Sequence, residues 1–185
     1  MASSVHQQLS DDHRAVHEVL ERLRDTLHRN DIDESYRQLD LLWARLAVHI
    51  RAEHLHLFPA VLNRLASSSA SAAPELSEAQ RVVDHLRSDH DFFMRELAGA
   101  IGILRQLSRP IDTADDKASF ASVLDMVSEV EKRLENHNDI EENQIYRWAG
   151  NILTESEQTD LAARINAELQ NRPSRFSVEA WADND

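Results

Sequence analysis

The feature that most constrains the fold is an apolar stripe that recurs in four long segments, at steps of three and four residues. In the first segment Val16, Leu20, Leu23 and Leu27 follow this spacing. Because residues three and four apart lie on one face of an α-helix, each segment predicts an amphipathic helix with one buried side. Only three Gly and four Pro interrupt the 185 residues, which favours helix throughout.

Capping residues and turn signals divide the first half of the chain into two helices. Ser10 is predicted to cap the first helix, and Asp33 to cap the second after the turn NDID. The second helix is expected to reach about Ala66. A kink is predicted at Pro59, because proline lacks a backbone donor and clashes with the preceding turn.

Two further helices follow connections rich in small and turn-forming residues, at 67–74 and 108–113. The third helix is predicted to begin at Pro74 or Ser77, and the fourth to span about residues 114–149. Four amphipathic helices with short connections pack most simply as an up-down-up-down antiparallel four-helix bundle. The fold class is therefore predicted to be all-α.

The C-terminal region adds a shorter element to this bundle. Thr154 and Glu157 match a capping box, which predicts a fifth helix to about Gln170. The tail that follows carries Phe176 and Trp181, which are expected to dock on the bundle or on a protein partner. The predicted organisation is a single domain over 1–185, with the bundle at 10–150, the extra helix at 151–171 and the tail at 172–185.

Charge and cysteine content exclude several classes of function. The net charge of −13, from 20 Lys and Arg against 33 Asp and Glu, repels phosphate backbones and anionic lipid surfaces. Without Cys, the chain has no disulfide, no thiolate nucleophile and no ligand for an iron–sulfur cluster. No apolar run is long enough to span a membrane. A cytoplasmic protein that binds neither nucleic acid nor membrane is therefore expected.

Histidine and glutamate residues interrupt the apolar stripes, and they do so in phase with them. Extending each stripe by three or four residues reaches a histidine on every bundle helix and a glutamate on two of them. The six in-phase residues are His13, His49, Glu53, His90, His137 and Glu141. Side chains at i and i+4 lie on one helical face about 6 Å apart, so both members of each His-x-x-x-Glu pair can reach the bundle axis.

Buried polar side chains that face one another need a compensating charge. A buried carboxylate is costly unless it is paired or coordinated, and two facing carboxylates also repel each other. One or two divalent cations resolve both problems. Imidazole and carboxylate without sulfur suit iron, manganese or zinc. Because six ligands exceed the four of a tetrahedral zinc site, the pattern favours two metals bridged by the carboxylates.

This four-part motif resembles the hemerythrin-like proteins, also called the HHE cation-binding domain. The matching stretches are DDH at 11–13, HIRAEHLHLFP at 49–59, SDH at 88–90 and HNDIEENQIY at 137–146, within a resemblance that covers about residues 10–150. The resemblance implies that the four in-phase histidines are terminal ligands of a non-haem di-iron centre. It further implies that the two glutamates are its bridging carboxylates, beside an oxo or hydroxo bridge.

The chain departs from the oxygen-carrying hemerythrins at two ligand positions. Those carriers have a further ligating histidine where this chain has Leu86, and an aspartate at a longer spacing where it has Glu141. The motif is closer to that of bacterial hemerythrin-like proteins with four histidines and two glutamates, some of them linked to repair of iron–sulfur centres under nitrosative stress. Those repair proteins use a cysteine-bearing N-terminal region, and this chain has no Cys.

Other polar residues are expected around the site rather than in it. His17, His56 and Gln144 are expected to flank the ligands or to hydrogen-bond them from outside. His54 and His85 are expected at the surface.

Two hypotheses for function follow from the resemblance. In the first, a di-iron protein binds, senses or detoxifies a small oxidant such as dioxygen, nitric oxide or peroxide, because five-coordinate irons keep an open position. Leu86, in place of a ligand, would open the second iron as well. In the second, the metal stabilises the bundle or allows the protein to sense the supply of iron, and the protein acts as a regulatory module that binds a partner through its tail. The residues do not decide whether the chain is an enzyme.

Overall fold

All regular structure in the described part of the chain is helical, which confirms the predicted fold class. A computed structural model describes residues 4–67, 74–107, 111 and 113–173. The α-helices are α1 (Val5–His28), α2 (Ile32–Ala52), α3 (Phe58–Ser67), α4 (Leu76–Gln106), α5 (Ala114–Ile140), α6 (Tyr146–Ile152) and α7 (Glu155–Gln170). Two π-helical turns, Glu53–Leu57 and Glu141–Ile145, join α2 to α3 and α5 to α6.

Some of the predicted features fall outside the described residues. They include most of the connections at 67–74 and 108–113, and the tail residues Phe176 and Trp181. The division into a bundle, an extra helix and a tail therefore stays a prediction.

The first helix begins six residues before the predicted start, so the prediction that Ser10 caps it is wrong. The side chain of Ser4 accepts a hydrogen bond from the backbone N–H of Gln7 at 3.1 Å and caps α1. Val5 and Leu9 are buried and extend the apolar stripe towards the N-terminus. The added turns are therefore stabilised by packing, which a capping signal alone does not reveal.

Two other helix starts are shifted by one or two residues. Asp31 rather than Asp33 caps α2, accepting from the backbone N–H three residues further on at 3.1 Å. The cap position of α4 is Glu75, which lies between the two predicted starts at Pro74 and Ser77 and makes no capping hydrogen bond through its side chain. Sequence alone seldom places a helix boundary to better than one or two residues.

The capping box predicted for the last helix is present. The backbone N–H of Glu157 donates to Oγ1 of Thr154 at 3.3 Å, and the backbone N–H of Thr154 donates to Oε2 of Glu157 at 2.7 Å. α7 ends at Gln170 as predicted, and it packs against α1, α2 and the first π turn. The extra helix thus covers the ligand-bearing part of the first two helices.

The first two helices form an antiparallel pair. His13 contacts His49 towards one end of the pair, and Ser35 donates to Oγ1 of Thr26 at 3.0 Å towards the other. Residue numbers therefore rise along α1 as they fall along α2.

The pair formed by α4 and α5 has the same arrangement. His90 contacts His137, and further along the pair Gly99 lies against Met126. α2 packs against α4 and joins the two pairs. Within the described residues, no helix combines the length and the apolar character needed to cross a bilayer.

The apolar interior consists of two clusters with a polar layer between them. One cluster is built from α1, α2, α4 and α5 and includes Leu20, Leu42 and Phe93. The other is built from the start of α1, the π turns, α3, α6, α7 and the start of α4, and it includes Leu57 and Ile145. On all four ligand-bearing helices, the in-phase histidines fall between the residues of the two clusters.

A π turn begins at each of the two in-phase glutamates. The backbone N–H of Phe58 bonds to the carbonyl of Glu53, and that of Tyr146 bonds to the carbonyl of Glu141. The irregularity predicted at Pro59 therefore lies further towards the N-terminus. The second half has the same π turn without a proline, so a proline is not required for such a turn. Such π turns are frequent at functional sites.

Candidate metal centre

The six in-phase side chains meet in the polar layer. Each histidine comes from a different helix, α1, α2, α4 or α5, and each glutamate is the first residue of a π turn. All six are buried, with exposed fractions of 7% for His13, 3% for His49, 0% for Glu53, 2% for His90, 2% for His137 and 0% for Glu141. The structure therefore brings together every residue that the sequence predicted as a ligand.

The carboxylate of Glu141 reaches both pairs of histidines. Its Oε2 lies 3.2 Å from Nε2 of His13, and its Oε1 lies 2.8 Å from Nε2 of His137 and 3.6 Å from Nε2 of His90. One oxygen thus faces the α1–α2 pair and the other faces the α4–α5 pair.

The carboxylate of Glu53 does the same from the opposite half. Its Oε1 lies 3.6 Å from Nε2 of His49, and its Oε2 lies 3.4 Å from Nε2 of His90. Each carboxylate therefore places one of its oxygens beside the first histidine pair and the other beside the second. This is the arrangement of bridging ligands between two cations.

Within each pair, the ring nitrogens face each other at short range. Nε2 of His13 lies 3.2 Å from Nε2 of His49, and Nε2 of His90 lies 3.0 Å from Nε2 of His137. A hydrogen bond between two such nitrogens requires one of them to carry a proton. Without that proton or a cation, two lone pairs oppose each other.

Carboxylates outside the cluster place the ring protons on the other nitrogen. Nδ1 of His49 donates to Asp12 at 3.1 Å, and Nδ1 of His137 donates to Asp89 at 3.2 Å. Because a carboxylate only accepts, these contacts keep the proton on Nδ1 and turn the Nε2 lone pair towards the cluster. This is the tautomer that binds a metal through Nε2.

The residues present therefore fit a pair of bound cations. Oε2 of Glu53 and Oε1 of Glu141 are buried oxygens that lie beside the Nε2 atoms of His90 and His137, at 3.4 and 2.8 Å. Burying an ionised oxygen is costly unless a positive charge lies beside it, and a bound cation supplies that charge. The donor atoms form two groups, and within each group all of them lie within 4.8 Å of one another. One group comprises Glu53, His90, His137 and Glu141, and the other comprises His13, His49 and Glu141.

Protons are the competitors of a cation at this cluster. Burial lowers the pKa of His137, but attraction to Glu141 and the hydrogen bond to Asp89 outweigh burial and raise it to about 9. Burial raises the pKa of Glu141, yet the histidines around it, His137 above all, hold that pKa well below its usual range. The cluster therefore favours charged groups, and a metal must displace the ring protons to bind.

An arginine donates a hydrogen bond to the aspartate of each aspartate–histidine pair. Arg45 donates to Asp12 at 2.9 Å, and Arg133 donates to Asp89 at 2.7 Å. Burial raises the pKa of Asp89, but its hydrogen bonds to His137 and Arg133 lower it below its usual range. Both aspartates are thus held as carboxylates beside the ligands. Sequence reasoning gave them no role beside the ligands, although each directly precedes an in-phase histidine.

The model of the hemerythrin HHE cation-binding domain family matches residues 4–149 of this chain. The matched range starts at the residue that caps α1 and contains all six buried ligand candidates. The chain belongs to this family. Comparison with curated proteins found no match, and comparison with solved structures found none.

In this HHE domain an aromatic ring covers one histidine of each pair. Tyr146 stacks on His13 with ring centroids 5.8 Å apart, and Phe58 stacks on His90 at 6.1 Å. Each ring belongs to the residue directly after a π turn. Sequence reasoning missed both rings because it assumed an unbroken helical period. The signal was in the repeat itself, because HLHLF follows Glu53 and ENQIY follows Glu141, which places an aromatic residue five positions after each glutamate.

The two halves of the HHE domain differ next to the remaining ring nitrogens. Nδ1 of His13 contacts Oε1 of Glu142 at 3.0 Å, whereas Nδ1 of His90 contacts Nε2 of His54 at 2.9 Å. His54 is therefore not a solvated surface residue as predicted. Burial and the neighbouring His90 lower the pKa of His54, so its neutral form is favoured at this position.

Two of the three residues predicted to flank the ligands contact glutamates outside the cluster. His17 is largely exposed and lies 3.5 Å from Glu21, and His56 lies 3.9 Å from Glu168 on α7. Gln144 is half-buried within the second π turn. The extra residue in the first π turn changes the phase of the positions after Glu53, and His56 faces α7.

Proposed function

We propose that this HHE domain holds a non-haem di-iron centre that binds, senses or detoxifies a small oxidant, namely dioxygen, nitric oxide or peroxide. The observation that carries the proposal is the pair of buried carboxylates, Glu53 and Glu141, each with one oxygen towards either histidine pair. The proposal includes an up-down-up-down order of the four long helices, which the antiparallel pairs support.

Iron is proposed because the donors are imidazole and carboxylate without sulfur, a set that suits iron, manganese or zinc. Two cations are proposed because the carboxylates face both pairs, and a single tetrahedral zinc would use only four of the donors. His13 and His49 would hold one iron, and His90 and His137 would hold the other.

When bound, the iron pair would supply the redox chemistry and the open positions for a small ligand. The protein supplies the rest. Asp12 and Asp89 hold the imidazoles in the tautomer that binds metal. The two apolar clusters exclude bulk water from the layer between them.

The space beside the histidines also matches a small ligand. A cavity of about 10 Å³ lies among the four in-phase histidines and is closed on its apolar side by Val16, Leu46, Phe93 and Leu134. That volume is about the room of one water molecule. It admits a diatomic molecule or peroxide far more readily than a larger substrate.

Metal analysis of protein from iron-supplemented cells tests the proposal, with two iron ions per chain as the expected result. His90→Ala and Glu141→Ala each remove donors, so both are expected to lower the iron content well below that of the wild type. His17→Ala is the control, since its side chain is 57% exposed on the same helix as His13 and its ion-pair partner, Glu21, lies outside the cluster, and it is expected to keep the full iron content.

The same preparations decide the role of the metal. The absorption spectrum of the anaerobically reduced protein is expected to change on addition of dioxygen, nitric oxide or peroxide. Unchanged iron content in both cluster variants, or zinc or manganese in place of iron, would contradict the di-iron centre. A full iron content without any spectral response would mean that the metal only stabilises the bundle. That result would reject the proposed reaction with small oxidants.

A further inference from the structure

Tyr146 places a phenol oxygen among the proposed ligands of one iron only. Its hydroxyl lies 3.1 Å from Nε2 of His13, 3.0 Å from Oε1 of Glu53 and 3.2 Å from Oε2 of Glu141. The side chain is 2% exposed and is held in place by the stack of its ring on His13. The hydroxyl is therefore part of the buried cluster.

Two of the three atoms around the hydroxyl are the carboxylate oxygens that face the α1–α2 histidine pair. The third is the ring nitrogen of His13, which belongs to that pair. The other oxygens of Glu53 and Glu141 face the α4–α5 pair. A phenol has one proton, so it can donate fully to only one of the two carboxylates that it contacts. A single cation within reach of the phenol oxygen, both carboxylate oxygens and the ring nitrogen would satisfy all of them at once.

In the part of the chain that the structure describes, the other half has no such donor. Phe58 occupies the corresponding place, five residues after Glu53 as Tyr146 is five after Glu141. Its ring stacks on His90 as that of Tyr146 stacks on His13. The packing role of the ring is thus served equally by phenylalanine, and the hydroxyl of Tyr146 is the feature that packing does not explain.

We propose that Tyr146 is a further ligand of the iron held by His13 and His49. This inference rests on the proposed di-iron centre. With Tyr146 the α1–α2 iron has five protein donors, whereas the α4–α5 iron has four, because Phe58 offers none. The two iron positions are then inequivalent, and the less filled position lies beside His90 and His137.

Ligation by Tyr146 exchanges one bond for another. The phenol O–H bond breaks, an oxygen–iron bond forms, and the proton passes to the buffer, with no change in oxidation state. A bound cation promotes such a loss of a proton from its ligand, and tyrosine is a known ligand of iron in proteins. Ferric iron bound to a phenolate absorbs visible light through charge transfer, which provides a direct signature.

The chain has only two tyrosines, which makes the signature assignable. The other is Tyr36, whose hydroxyl accepts from Arg105 at the protein surface. Oxidised, iron-loaded Tyr36→Phe therefore retains Tyr146 as its sole tyrosine. It is expected to show the phenolate-to-iron absorption band and the tyrosinate vibrations in resonance Raman spectra excited within that band.

Tyr146→Phe is the second variant, and it copies the residue found in the other half. It is expected to lose the band completely while the wild type and Tyr36→Phe keep it. A protein with two ferric ions and no tyrosinate signature would overturn the ligand role while the di-iron proposal stands. A band that persists in Tyr146→Phe would overturn it as well. If Tyr146→Phe fails to bind iron, the Tyr36→Phe spectrum alone decides. Wild type without iron would reject both proposals together.

Discussion

Two buried aspartates, Asp12 and Asp89, decide which nitrogen of a histidine faces the centre of the site. Each accepts from Nδ1 of its histidine and is itself fixed by an arginine, Arg45 or Arg133. Neither carboxylate contacts the other donors of the cluster. Partners of this kind fix the tautomer and the orientation of a metal ligand, and their loss weakens metal binding.

Asp89→Asn is expected to weaken metal binding while the protein remains folded. The amide keeps the shape of the carboxylate, but its single oxygen cannot accept from both His137 and Arg133, and its charge is gone. We expect the iron affinity, measured by competition with a chelator, to fall by about 10- to 100-fold.

The control for this change is Asp91→Asn, which removes an exposed carboxylate from the same helix. It is expected to bind iron as the wild type does. Equal affinities for Asp89→Asn and wild type would show that the aspartate does not support the ligand.

At the scale of the element, the π turns place the residues that an unbroken helix would misplace. Each turn starts at an in-phase glutamate and ends just before an aromatic residue that covers a histidine. One extra residue in the turn advances the following helix, so Phe58 and Tyr146 reach the site and His56 turns towards α7. A period of 3.6 residues cannot predict that change of phase.

The last helix is stabilised by its capping box as well as by packing. Thr154→Ala removes the acceptor for the backbone N–H of Glu157, and we expect the free energy of unfolding to fall by about 1 kcal/mol. Chemical denaturation measures this change. Thr159→Ala is the control, because Thr159 bonds to the carbonyl of Glu155 within the helix and alanine has the higher helix propensity there. If both variants lost stability equally, the cap would have no special part in holding α7.

At the scale of the whole molecule, a charged layer separates two apolar clusters. Without a cation, the buried carboxylates of Glu53 and Glu141 in this layer are balanced only by the histidines beside them. Burying such charged groups is costly, and folding is favoured by anything that binds the folded cluster but not the unfolded chain. Metal binding and stability are therefore expected to be coupled.

Removal of the metal is expected to lower the melting temperature of the whole protein. At a free metal concentration about 1,000 times the Kd, binding adds about 4 kcal/mol to the free energy of unfolding. Thermal denaturation of iron-loaded and chelator-treated protein measures the difference. Glu141→Ala, which removes a ligand shared by both positions, is expected to melt at nearly the same temperature with and without iron. A wild type that is equally insensitive to the metal would contradict the coupling.

The sequence by itself determined the all-α fold, the helical phase of the histidines and glutamates, and the membership of the family. It could do so because residues three and four apart share a helical face wherever the helix is regular. A residue such as His90 is therefore placed by the apolar residues of its own helix, without knowledge of the others.

Only the tertiary structure decided what surrounds those ligands. The start of α1 at Ser4 depends on packing of Val5 and Leu9 against other helices, and the contacts of His54 and Asp89 depend on which side chains lie opposite. The position of Tyr146 depends on a local π turn. These features come from contacts between distant segments and from a departure from the regular helix, and neither is recorded in the spacing of residues along one segment.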